Sequence, residues 1–172
     1  TQPDNTYGWQ LFDADKRLSH QIRSDGKVVL RSYSKQFRLT IETEFKAKIK
    51  VTPDFVPNAD GVNSQLMELK DAKNDRVTYT IHDENGNPIF KVDPAGYVVA
   101  TEYDPFNRPI KQIAYDAKLT EAQMTLVIAG QLPELPYDPQ VDLTTQTFYD
   151  DDGLVIAEQD ACLLYTSDAA DE

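Results

Sequence analysis

The side chains of this 172-residue chain that could do chemistry are few: two histidines, one cysteine, and 29 acidic residues of which several sit in tight acidic runs. His20 has no Cys or second His at metal-ligand spacing, and a lone imidazole does not make a metal centre. His82 stands in a slot filled elsewhere by Phe12, Tyr103 and Tyr149, so packing is expected of it rather than catalysis, which needs a nucleophile and a base within hydrogen-bond reach. The run Asp83-Glu-Asn-Gly-Asn87 invites a calcium reading. However, Pro88 falls where an EF-hand loop needs Gly, and Pro94 where it needs its closing Glu. Asp150-Asp151-Asp152 is denser in charge and reads first as a solvated loop tip, with weak cation binding as the other reading. No G-x-S-x-G, H-E-x-x-H, P-loop or dinucleotide-binding fingerprint occurs. The expectation is a non-enzymatic chain without cofactor or metal.

Composition narrows the partners. The formal net charge is −12, with 17 basic residues and no Lys/Arg cluster, which argues against nucleic acid. A hydrophobic content of 40% and an aromatic content of 10% belong to a core-forming chain. No apolar run approaches the roughly 20 residues of a membrane helix, and no signal peptide opens the chain. The single cysteine, Cys162, excludes an internal disulfide. It lies in CLLYTSDAADE (residues 162–172), which is unlike the preceding sequence. That string looks like the in-frame translation of a sequencing-library adapter rather than native protein. Without it 26 acidic and 17 basic residues remain, a net of −9.

The elements that must position these groups come from an internal repeat. Residues 12–38 align without a gap to residues 82–108, an offset of 70, with six identities in 27 positions: Asp13/Asp83, Gly26/Gly96, Val28/Val98, Val29/Val99, Tyr33/Tyr103 and Arg38/Arg108. The offset continues through Phe45/Tyr115, Ala47/Ala117, Lys48/Lys118 and Ile49/Leu119. A third copy starts at Phe148-Tyr149-Asp150, where Asp150, Gly153, Ile156 and Asp160 answer Asp83, Gly86, Ile89 and Asp93. Inside each unit an aromatic residue followed by Asp, or its equivalent, recurs after 21 residues: Phe12-Asp13 then Tyr33-Ser34, and His82-Asp83 then Tyr103-Asp104.

These punctuation marks predict turns. An Asp carboxylate caps local backbone N–H groups, and Gly86, Gly153 or Asn107 supplies the left-handed residue. Pro88 and Pro109 follow where a strand starts. Asp93-Pro-Ala-Gly96 and Arg23-Ser-Asp-Gly26 make the opposite turns. Between them, runs such as 77–81, 89–92 and 97–103 are β-branched and aromatic, which predicts a meander of antiparallel hairpins. Thr120 with Gln123, followed by Gly130, predicts a capped helix; residues 132–139 read as an extended linker, and a short helix is expected near Gln65–Leu69. The fold class is therefore mainly β, repeated antiparallel hairpins with one or two short helical insertions. The repeat region is expected over residues 1–161, with units starting near 7, 77 and 145 and helix-bearing insertions near 46–73 and 116–142.

Aromatic-Asp, a Gly three residues on and another ten residues later, repeating near 21 residues, resembles the YD-repeat (rearrangement-hotspot) family. The resemblance covers residues 7–45, 77–115 and 145–161; Ser34 lacks the Asp, and Lys16, Phe37 and Asn107 lack the first Gly. It implies a β-strip that coils into a shell enclosing a C-terminal toxin domain, as in polymorphic toxins and the C components of insecticidal toxin complexes. The site residues are then structural: Asp13, Gly26, Tyr33, Asp83, Gly86, Gly96, Tyr103, Asp104, Tyr149, Asp150 and Gly153. The partners are adjacent repeats and the enclosed domain of a secreted or surface-exposed bacterial parent. The alternative is an extracellular adhesin segment holding carbohydrate on exposed aromatics such as Tyr7, Trp9 and Tyr97.

Overall fold

The structure, a computed structural model, describes residues 7–34, 36, 38–52 and 54–160; the stretch 162–172 lies outside the described residues. It is mainly β. Ten strands form one sheet in which sequence neighbours are sheet neighbours throughout, in the order β1 to β10. They are β1 (Tyr7–Phe12), β2 (Leu18–Arg23), β3 (Lys27–Ser34), β4 (Leu39–Lys48), β5 (Arg76–His82), β6 (Pro88–Val92), β7 (Val98–Tyr103), β8 (Pro109–Ala114), β9 (Leu143–Tyr149) and β10 (Val155–Asp160). Two helices interrupt them, α1 (Ala59–Leu69) and α2 (Glu121–Ile128). Among the described residues no helix is long and apolar enough to cross a membrane.

Contacts divide the chain into two units. The first holds the residues up to Ser34 with Thr40–Thr78, the second Lys35–Leu39 with Tyr79 onward. In the first, Ile22, Val28, Phe45 and Ile49 from the strands and the segment after β4 cluster with Val62 and Leu66 of α1. The two helix residues are four apart and so share a face. Trp9, Leu11, Leu30 and Phe55 pack around this core. In the second unit the buried apolar residues include Ile81, Phe90, Val92, Val98 and, on α2, Val127. The 70-residue offset therefore reaches the interior: Ile22 and Val92 are both fully buried, as are Val28 and, all but completely, Val98, and His20 occupies the buried position that Phe90 holds in the second unit.

The helix ends follow their sequences, one more fully than expected. Thr120 and Gln123 form a reciprocal capping box. Gly130, at φ 73°, closes α2 with Gln131 N–H on the Leu126 carbonyl and Gly130 N–H on the Val127 carbonyl, a Schellman ending. Helix α1 begins six residues before the expected Gln65, because Asn58 caps it by accepting from the Gly61 N–H at 2.8 Å. Asn58-Ala-Asp-Gly61 resembles a turn, yet here the Asn starts a helix and Gly61 lies inside it.

Candidate functional site

The acidic turns share one geometry. Asp13, Asp83, Asp93, Asp104 and Asp150 each donate their own N–H to the carbonyl four residues on, at 2.8 to 3.0 Å. Each accepts at its carbonyl from the residue three on, the left-handed one: Lys16, Gly86, Gly96, Asn107 and Gly153, with φ between 62° and 94°. In each, Oδ1 also accepts from the backbone N–H four residues on, at 2.8 or 2.9 Å. This is a three-residue hairpin loop closed by a bulge. Beside four of the turns the ladder also shifts register, at Leu11/Phe12, Ile81/His82 and Glu102/Tyr103 and between Val155 and Ala157, whereas β6 and β7 flank the Asp93 turn in unbroken register. Lys16 shows that a long side chain tolerates the left-handed slot when it points to solvent.

The carboxylates are committed to these turns. At Asp13 the Arg17 side-chain hydrogen bond, reinforced by the Arg17 and Asp15 backbone N–H groups, holds the carboxyl below its ordinary value. At Asp83 and Asp104 burial pushes the other way. It is outweighed by the side-chain and backbone donors of Asn87 in one case and of Arg108 in the other, so both also sit below the ordinary value. Of the acidic runs, the Asp83 and Asp150 carboxylates are thus occupied as acceptors of N–H groups, and no group of three or more His, Cys, Asp and Glu among the described residues has metal-binding geometry.

Tyr33, which precedes Ser34, and Tyr103 and Tyr149, which each precede a turn Asp, reach to the preceding turn. Tyr33 donates its hydroxyl to the Leu18 carbonyl at 2.8 Å, Tyr103 to the Pro88 carbonyl at 3.3 Å, and Tyr149 to the Pro109 carbonyl at 2.9 Å. Each acceptor stands five residues after a turn Asp. His82 takes the same part with its ring: Nδ1 lies 3.1 Å from the Arg38 carbonyl, which can only accept, so Nδ1 carries the proton. Arg17 and Arg108, four residues after Asp13 and Asp104, join the two halves. Each guanidinium binds its own turn Asp, at 2.7 and 2.6 Å at the closest, and lies 4.5 Å over the ring of Tyr33 or Tyr149. The structure thus brings Asp13 together with Tyr33, and Asp104 with Tyr149, through an arginine. Gly26 and Gly96 sit apart, in the opposite turns, where their carbonyls accept from Ile49 and Leu119 at 2.9 Å, one bond repeated at the 70-residue offset.

Sequence reasoning missed Arg17 and Arg108 as partners, although each stands four residues past its turn Asp. It also missed a second repeated device at the ends of the insertions. The Asp75 carboxylate accepts from the Asp71 and Lys46 N–H groups, and the Asp142 carboxylate from Asp138 and Asp116. The spacing Asp-x-x-x-Asp, at an offset of 67, was the available signal.

Elsewhere the chemistry is quiet. His20 is buried, with Nδ1 2.9 Å from Ser19 Oγ and Nε2 3.0 Å from Asn63 Oδ1, which ties β2 to α1. Trp9 packs edge-on against Phe55, and the Lys118 ammonium lies 4.9 Å over the Tyr97 ring; the side chain of Tyr7 lies outside the described residues. A groove of about 280 Å³ between β6–β8 and Leu132–Leu135 has as its ionic groups only Glu102 and Lys111, themselves paired at 3.3 Å. No protein-family model matches this chain, and no curated protein matches it in sequence.

Proposed function

We propose that the chain is a non-enzymatic structural segment of a large secreted or surface-exposed bacterial protein of the YD-repeat type, part of a β-shell around a C-terminal toxin domain. The observation that carries this reading is the repeated contact at the turns. Aromatic-Asp is a mechanical unit in which the Asp closes its own hairpin and the aromatic ties that hairpin to the previous one. Such a unit gains stability from neighbours rather than from a closed core. The turn carboxylates and the His82 ring are spent on backbone groups, and His20 on the side chains of Ser19 and Asn63, which suits a wall better than a reactive pocket.

The carbohydrate reading draws less support, because Trp9 is packed into the first unit and the Tyr97 ring, though exposed, already has the Lys118 ammonium over one face. Two measurements test the proposal. The isolated chain should unfold at a low urea midpoint, and the fluorescence of Trp9, its only tryptophan, should not respond to mono- or oligosaccharides. A high, sharp midpoint or a saturable sugar response would count against the wall reading.

A further inference from the structure

At the 70-residue offset the second unit replaces Leu30 by Ala100, Ile41 by Lys111, Phe45 by Tyr115 and Ser32 by Glu102. The backbone keeps the offset across these positions, since the bond from Ile49 N–H to the Gly26 carbonyl recurs from Leu119 to Gly96. In the first unit Leu30 and Phe45 pack with Val62 and Leu66 of α1. In the second, the smaller Ala100 lies under an extended segment, and the groove of about 280 Å³ runs between them. Phe90, Ala100 and Ile113 form its floor, and Leu132, Pro133 and Leu135 its roof. The roof is tied down: Pro133 is buried, and Gln123 Nε2 on α2 donates to the Glu134 carbonyl at 3.1 Å. The three polar replacements also gather here. Tyr115 lines the groove together with the Glu102–Lys111 pair, and its hydroxyl makes no hydrogen bond among the described residues. Burial, and then the charge of Asp142, push that hydroxyl above the ordinary tyrosine value, the Lys111 ammonium opposing them less strongly.

We propose that this groove binds a small aryl-alkyl amine, its ring between the Ala100–Ile113 floor and the proline-stiffened roof and its ammonium on Glu102 beside the Tyr115 hydroxyl. Apolar walls with a few polar groups are the composition of a ligand pocket, and the volume suits a molecule of about ten non-hydrogen atoms. Charge selects the amine over an acid. Glu102 is the more exposed member of its pair, at 61% against 32% for Lys111, so it is open to a second cation, and the nearby Asp142 adds to the negative field. A sheet face with packing alone to do has Leu30, Ile41 and Phe45 as its pattern in the first unit; the second unit departs from that pattern at one place. The inference goes beyond the wall reading and stands whether the segment belongs to a wall or to an adhesin.

Titration of phenylpropylamine, phenylpropanol and phenylpropionate into the full chain, followed by the methyl NMR signals of Ile113, Leu132 and Leu135, tests it. Saturable shifts at these methyls are expected, with a dissociation constant on the order of 1 mM for the amine. The alcohol should bind about two- to fivefold more weakly, the value of one partly exposed ion pair, and the acid more weakly still. Glu102→Gln, at an exposed side chain, should bring the amine down to the alcohol and leave the alcohol unchanged. Ala100→Leu, which restores the first unit's residue, should abolish binding of all three. No saturable shift at the groove methyls, propionate binding as tight as the amine, an amine affinity unaffected by Glu102→Gln, or full binding in a folded Ala100→Leu chain would each overturn the proposal.

Discussion

Gly26 should be the least replaceable of the turn glycines, and the structure gives the size of the effect. Gly26, Gly86 and Gly96 share a positive φ, 86°, 88° and 94°, so alanine costs about 1 kcal/mol at each for backbone conformation alone. Their surroundings differ. A Cβ at Gly86 meets nothing within 4 Å, and one at Gly96 meets only the Lys118 Cβ at 3.8 Å. At Gly26 it collides with the Ile49 carbonyl oxygen, which is backbone and cannot swing away. Relief requires moving the segment that donates the Ile49 N–H to the Gly26 carbonyl, a bond worth about 1 kcal/mol net. It also drags Ile49, 4% exposed, out of the first unit's core, where partial loss of packing adds about 1 to 2 kcal/mol. Gly26→Ala is therefore expected to cost about 3 to 4 kcal/mol, against about 1 for Gly86→Ala and Gly96→Ala. Urea unfolding followed by Trp9 fluorescence for the first unit and by circular dichroism for the second gives these values from midpoints at common slope. If the three variants fall within about 0.5 kcal/mol of one another, the turn geometry argued here is wrong.

Three other outcomes follow from the same contacts. Tyr149→Phe should cost about 1 kcal/mol by deleting the bond to Pro109, and Arg108→Ala about 1 to 2 by removing both the Asp104 contact and the ring stacking; additive losses in the double variant would contradict a shared unit. Asp142→Ala, at a buried position, should cost about 2 kcal/mol because the Asp116 and Asp138 N–H groups lose their acceptor, whereas an unchanged urea midpoint would refute that role. Acidification should weaken the fold in a defined window. Asp13, Asp83 and Asp104 are held below the ordinary 3.8, so the unfolded chain binds more protons near and below that value. Their contribution is complete above about pH 4 and is lost as pH falls through the lower folded values. Midpoints flat from pH 7 to 5 and falling below 4 are expected; stability that holds or rises toward pH 3 would contradict the turn assignments.

Much of the fold could be read from the chain because its rules are local. A turn Asp, a left-handed Gly or Asn and a strand-opening Pro act within five residues, so the hairpins around Asp83, Asp93 and Asp104 follow from their own sequence. Capping is local too, which made α2 visible in Thr120, Gln123 and Gly130. What stayed hidden joins residues that are distant in sequence or ambiguous in type. Tyr149 to Pro109 spans 40 positions across an insertion, and no local rule pairs them. Arg17 and Arg108 look like ordinary surface charges until the neighbouring ring is placed over them. Asn58 could open a turn or a helix, and the apolar pair Val62 and Leu66, packed on Ile22 and Val28, decided it. His20 has no metal-ligand partner in the sequence, which leaves its place open; in three dimensions it is a core residue standing where Phe90 stands.

The central claim is that five turns, begun by Asp13, Asp83, Asp93, Asp104 and Asp150, are one structure used five times. Amide hydrogen exchange by NMR at Arg17, Asn87, Tyr97, Arg108 and Leu154, whose N–H groups all bond the turn carboxylate, tests it directly. Similar slowing at all five is expected, with positive-φ couplings at Lys16, Gly86, Gly96, Asn107 and Gly153. Unprotected amides or helical couplings in the Asp13 or Asp150 turn, beside a protected Asp83 turn, would contradict it.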